Sequence, residues 1–113
     1  MSLPRRGEIW QVDLGRTRGH EQAGARPGLV LSVDSFNAGP AGVIVILPLT
    51  TRAKGIPFHV EVDPPEGGLG ARSFIKCEDV RSISKDRLVS PLGTVGQATL
   101  ERVEERVRIL LGM

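Results

Sequence analysis

Apolar residues in this chain recur in short bursts separated by Gly and Pro, and the spacing inside the bursts changes only near the C-terminus. Glu8-Ile9-Trp10-Gln11-Val12-Asp13-Leu14 alternates, with Trp10, Val12 and Leu14 on one side, and predicts a strand with one buried face. Leu29 to Val33 predicts a second strand. Val43-Ile44-Val45-Ile46-Leu47 is β-branched and apolar on both faces, the pattern of a central strand. Phe58 to Asp63 alternates again, Ser73 to Cys77 reads as a strand, and Asp79 to Ile83 extends it or bends into the next. Arg87-Leu88-Val89 and Leu92 to Val95 predict a short strand pair broken at Pro91. Asp34 to Pro40 is a connector with one helical turn capped by Asp34, and Pro64 to Gly70 is a loop. Leu100, Val103, Val107 and Leu110 then fall on one face of a helix, with Glu104 and Arg108 placed for an i,i+4 pair and Gly112 as the stop. Short strands, Gly/Pro turns and a terminal helix predict a mainly β fold, a small and strongly bent barrel, as one domain over residues 1–113.

Composition narrows the chemistry only slightly. A chain of 113 residues supports a single core. The net charge of +2 does not by itself mark a nucleic-acid binder, but twelve of the 15 cationic residues are Arg, the side chain whose planar fork matches phosphate and carboxylate. Cys77 is the sole cysteine, which excludes an intramolecular disulfide framework, and no Cys/His cluster suggests zinc. No metal or cofactor is expected. The first ten residues hold no apolar core of a signal peptide, and Val43 to Leu49 is far too short to cross a bilayer. The expectation is a soluble, cytoplasmic protein with no membrane partner.

Three stretches carry candidate chemistry. In Gly19-His20-Glu21-Gln22-Ala23-Gly24-Ala25-Arg26-Pro27, a polar, Gly-rich loop runs into an apolar strand, a setting where functional side chains concentrate. Pro27 biases Arg26 toward extended backbone, so the guanidinium leaves the loop in a restricted direction. Arg26 is either a structural surface cation or an anion clamp. His20 and Glu21 are either polar loop residues or proton-transfer groups. In Pro48-Leu49-Thr50-Thr51-Arg52-Ala53-Lys54-Gly55, a strand ends in two hydroxyls and two cations: ordinary polar capping, or a phosphate cradle. The two stretches fit an arrangement with Arg26 and Thr50 at the ends of neighbouring strands. In Ile75-Lys76-Cys77-Glu78-Asp79-Val80-Arg81, charges interrupt an apolar strand, and Cys77 is read as a small core hydrophobe rather than a nucleophile.

These residues, in this order, resemble the MazF/PemK toxins of bacterial toxin–antitoxin systems. The resemblance runs through Arg6-Gly7-Glu8-Ile9-Trp10, Gly19-His20-Glu21-Gln22, Arg26-Pro27-Gly28, Asn37, Pro48-Leu49-Thr50-Thr51, Lys54-Gly55-Ile56-Pro57-Phe58, Cys77 to Ile83, Arg87-Leu88 and Gly93-Thr94-Val95. It implies an SH3-like β-barrel with a C-terminal helix, a homodimer, and sequence-selective, metal-independent cleavage of single-stranded RNA to 2′,3′-cyclic phosphate and 5′-hydroxyl ends. It implies Arg26 and Thr50 as catalytic residues and matches His20 in the first loop; a metal-free ribonuclease also needs a base for the 2′-hydroxyl, for which His20 and Glu21 are the candidates. Gln22, Thr51, Arg52, Lys54, Lys76 and Glu78 are the candidate RNA contacts. Two positions depart from the family pattern: Asp79 stands where Gln is usual, and Lys76 where some members carry Arg.

The rival class is a non-catalytic, CcdB-like toxin that poisons a protein such as DNA gyrase, since one fold hosts several functions. Arg16, Arg18 and Arg26 around the first loop, with Arg52 and Lys54 on the second, predict a carboxylate-rich antitoxin segment as partner.

Overall fold

The computed structural model describes residues 3–15 and 24–113. Its elements are β1 (Glu8–Asp13), β2 (Ala25–Val30), α1 (Asp34–Asn37), β3 (Val43–Thr50), β4 (His59–Val62), β5 (Ser73–Lys76), β6 (Arg81–Ser84), β7 (Leu88–Thr94) and α2 (Gln97–Leu111). The strands hydrogen-bond in the order β4-β5-β3-β2-β1-β7, all antiparallel, and β6 also pairs with β3. The β-branched run forms the central strand. β3 pairs with β2 through Ile46 to Pro48, with β6 through Val43 to Ile46, and with β5 at Leu49 and Thr50. The sheet is mostly β with a C-terminal helix and barrel-like in its bend, without closing on itself.

Strong bending buries both faces of the middle strands. One cluster gathers Ile9, Leu29, Leu47, Leu49 and Ile75 under Val103 of α2. The other gathers Trp10, Val12, Val30, Ile44 and Ile46 on the opposite face. β1 therefore has two buried faces where alternation predicts one: Ile9 and Trp10 are 0% and 1% exposed and enter different clusters. Gly28 makes room for this packing, because a Cβ there would sit 3.1 Å from Ile46 Cδ1 and 3.3 Å from Val12 Cγ2.

Three further boundaries differ from the sequence pattern. β2 begins at Ala25 rather than Leu29, because pairing with β1 continues through Gln11↔Pro27, Val12↔Arg26 and Asp13↔Ala25, and Leu14 N–H then donates to Gly24 O at 2.9 Å. β7 is one strand through Pro91. It lies at the sheet edge, where a residue without an N–H is tolerated, and two register shifts against β1 accommodate it. Asp34 does not cap α1 with its side chain; its carboxylate accepts from Arg6 N–H at 2.7 Å.

α2 follows the predicted face only in part. Val103 is buried and Leu100 and Val107 pack on the first cluster, but Leu110 is 38% exposed beside Ile109 and Leu111. Glu104 does not use Arg108; it accepts from Arg6 Nη2 at 2.7 Å, while Arg6 Nε donates to Leu31 O. Glu66, in the Pro64–Gly70 loop, accepts from Gly96 N–H at 2.9 Å at the start of α2, where a carboxylate suits the helix dipole. Asn37 is fully buried and satisfied: its Nδ2 donates to Pro4 O and Ser32 O, and its Oδ1 accepts from Ser32 Oγ. It is a structural tie between the N-terminal segment and α1.

Candidate functional site

Two prolines shape the region around Arg26 and Thr50. Neither Pro27 nor Pro48 has an N–H to donate, and the β2–β3 ladder ends at Gly28↔Pro48. Arg26 and Thr50 each lie two residues past that last pair, on neighbouring strands. Beyond Pro48, β3 pairs with β5 on its other side, as Leu49↔Ile75 and Thr50↔Phe74. Directly opposed residues of antiparallel strands share a face. One row thus crosses three strands: Thr50 on β3, Phe74 on β5 and Glu61 on β4.

Arg26 is exposed and belongs to a strand, not to the loop before it, so its backbone is held by Val12 across the ladder. Thr50 is half-buried, and its Oγ1 accepts from Arg52 N–H at 3.2 Å, which leaves the hydroxyl hydrogen available to a ligand. Thr51, Arg52 and Lys54 are exposed on the segment that follows. Arg26, Arg52 and Lys54 make no ion pair among the described residues. His20, Glu21 and Gln22, with Arg16 and Arg18, lie outside the described residues.

Lys76 and Glu78 sit beside this row and are both engaged. Lys76 Nζ is 3.6 Å from Asp79 Oδ2. Asp79 also takes two bonds from Arg81. Burial pushes the Asp79 carboxyl up, but the hydrogen bond and charge of Arg81, then Lys76, outweigh it and hold the carboxyl below its ordinary range. A Gln would carry no charge here; Asp79 sets a carboxylate against both cations and ties β5 to β6.

Glu78 Oε2 lies 3.0 Å from His59 Nε2. The His59 side chain is only 3% exposed, and among the described residues its Nδ1 has no hydrogen-bond partner. Sequence reasoning does not single out His59; the alternation of Phe58 to Asp63 puts it on the same side as Glu61, but only the β4–β5 register brings it to Glu78.

Cys77 is fully buried. Burial pushes its thiol up to about 12, the Glu78 charge adds to this, and Arg106 offsets it slightly. That thiol is no nucleophile near neutral pH. Among the described residues, no three His, Cys, Asp or Glu side chains gather as metal ligands, and no helix is long and apolar enough to cross a membrane.

Residues 5–111 match the family described as the PemK-like, MazF-like toxin of type II toxin–antitoxin systems. The chain is 40% identical to endoribonuclease MazF9 of Mycobacterium tuberculosis, with 98% of each chain covered. Its fold is similar to MazF of Deinococcus radiodurans, with a TM-score of 0.87 at 32% identity over all of both chains. It is also similar to a MazE–MazF structure from the same organism, with a TM-score of 0.83 at 31% identity over 100% of this chain and 99% of the other. The chain belongs to the PemK/MazF family of type II toxin–antitoxin toxins and is a MazF-like endoribonuclease.

Proposed function

We propose that this endoribonuclease cleaves single-stranded RNA sequence-selectively and without a metal ion, where Arg26 and Thr50 lie just past the end of the β2–β3 ladder. The observation that carries the reading is that these two residues each lie two positions past the last β2–β3 pair, Gly28↔Pro48, on neighbouring strands. RNA supplies its own nucleophile. The 2′-oxygen attacks the adjacent phosphorus and loses its proton to a base, the P–O5′ bond breaks, and the 5′-oxygen takes up a proton. The products are a 2′,3′-cyclic phosphate and a 5′-hydroxyl.

Arg26 suits the extra negative charge of the phosphorane, and Thr50 can donate to a non-bridging oxygen. His20 or Glu21 is the base. Gln22, Thr51, Arg52 and Lys54 contact RNA around the cleaved bond, and Lys76 and Glu78 do so while held by Asp79 and His59.

The partner that holds the activity in check is an acidic antitoxin segment across the same cations; a MazE–MazF structure among the relatives supports this. Ile109 and Leu111, exposed on α2 at 62% and 54%, support a homodimer that covers them. The site of action is the cytoplasm. The experiment is incubation of purified protein with long single-stranded RNA in EDTA, with end-group analysis of the fragments. Discrete fragments with cyclic phosphate ends are expected; cleavage that needs added magnesium overturns the reading.

A further inference from the structure

We propose that Phe74 is a base-stacking platform beside the scissile phosphate, an inference that rests on the RNA-cleaving reading above. Recognition of single strands depends on unstacked bases laid against aromatic rings or Arg planes. This chain has few rings to offer: three Phe, one Trp and no Tyr. Trp10 is buried in the core, with its indole N–H on Glu8. Phe58 packs on the first apolar cluster. Phe36 is on α1, beyond the end of β2 opposite to Arg26. Phe74 alone remains for the site.

Its placement fits the role. Phe74 is the cross-strand partner of Thr50, so the two side chains leave the sheet on one face, about 5 Å apart at Cβ. The ring is partly exposed and packs on neither apolar cluster. Its neighbour on the strand, Ile75, is fully buried on the other face, which fixes the direction of Phe74. Lys76, two residues along, shares its face. A nucleotide whose phosphate lies between Arg26 and Thr50 has its base, or that of the adjoining nucleotide, over this ring. Every base has a π-face, so the platform adds affinity without choosing a sequence.

The test begins by mapping cleavage of a long RNA by the wild-type chain. Binding is then measured to a 2′-O-methyl RNA spanning a mapped site, with 2-aminopurine next to the cleaved bond. Phe74→Leu is expected to bind roughly 5- to 100-fold more weakly on every site sequence, with KM raised to match, kcat and the fragment pattern retained, and Phe74→Trp restoring affinity. The wild-type chain and Phe74→Trp quench the 2-aminopurine, and Phe74→Leu does not. Urea unfolding of each variant separates lost folding from lost stacking. The quench by the wild-type chain tests the platform even where a variant fails to fold. Unquenched 2-aminopurine bound to the wild-type chain, or folded Phe74→Leu that binds as the wild type does, overturns the platform and leaves the nuclease reading intact. Absence of any cleavage by the wild-type chain overturns that reading, and the platform with it.

Discussion

Asp79 grips Arg81 with both carboxylate oxygens: Arg81 Nε donates to Oδ1 at 3.0 Å and Nη2 to Oδ2 at 2.8 Å. With Lys76 on the same Oδ2, one carboxylate staples the end of β5 to the start of β6. Its pKa in the folded chain lies below the ordinary 3.8. A carboxyl lowered in this way contributes its full stability above the ordinary value and loses it as pH falls through the lowered one. Asp79→Asn is therefore expected to cost about 1–2 kcal/mol at pH 7. The urea midpoint of the variant should also fall less than that of the wild type on acidification below 3.8. Parallel midpoints across that range would show that the staple carries no stability.

Central features of the fold were legible because burial patterns are local. The β-branched run from Val43 announces a strand covered on both faces, and the spacing of Leu100, Val103 and Val107 announces α2. What escaped the pattern depends on partners distant in sequence. Gly24 and Pro27 read as loop, yet pairing with Asp13 and Gln11 draws Arg26 into a strand. Glu104 has a suitable cation four residues on, yet the fold offers Arg6. The charges of Lys76 and Glu78 are visible in the sequence; their contacts with Asp79 and His59 follow from the β5–β6 connection and the β4–β5 register.

Glu104 provides a direct contrast between local and distant pairing. The Arg6–Glu104 pair is partly buried, with the side chains 28% and 27% exposed, and it joins the N-terminal segment to α2. Glu104→Gln should lower stability by about 1–2 kcal/mol, because the Arg6 guanidinium keeps its burial and loses its charge partner. Arg108→Ala should change it by less than about 0.5 kcal/mol, as an exposed helix surface position. Equal losses in chemical denaturation would mean that α2 is held by its own i,i+4 charges after all.

Cys77 separates reactivity from position. It adjoins Glu78 in the charged segment, yet burial leaves it protonated to about pH 12. Cys77→Ala should retain cleavage within about threefold, since free buried thiols of this kind act as packing groups. A thiol reagent at pH 8 should label the native chain only as fast as it opens, and the urea-unfolded chain at once. Rapid labelling of the native chain would contradict the burial and reopen a chemical role for sulfur.

The position of Arg26 and Thr50 just past the end of the β2–β3 ladder predicts coupled losses. Arg26→Ala should lower kcat by about 100- to 1000-fold, the usual cost of removing one preorganised donor from a developing oxyanion. Arg26 is exposed and supports no core contact, so the stability of the variant should stay within about 0.5 kcal/mol of the wild type. Arg26→Lys should recover little, because an ammonium replaces a two-pronged fork with a point charge. Thr50→Val keeps the β-branched shape and removes only the hydroxyl. If both groups hold one phosphate, the double variant should lose markedly less than the product of the single losses, since a phosphate released by one is no longer placed for the other. Single-turnover cleavage of one RNA by all four proteins measures this. Losses that multiply independently would mean that Arg26 and Thr50 act on different parts of the RNA, despite their neighbouring strands.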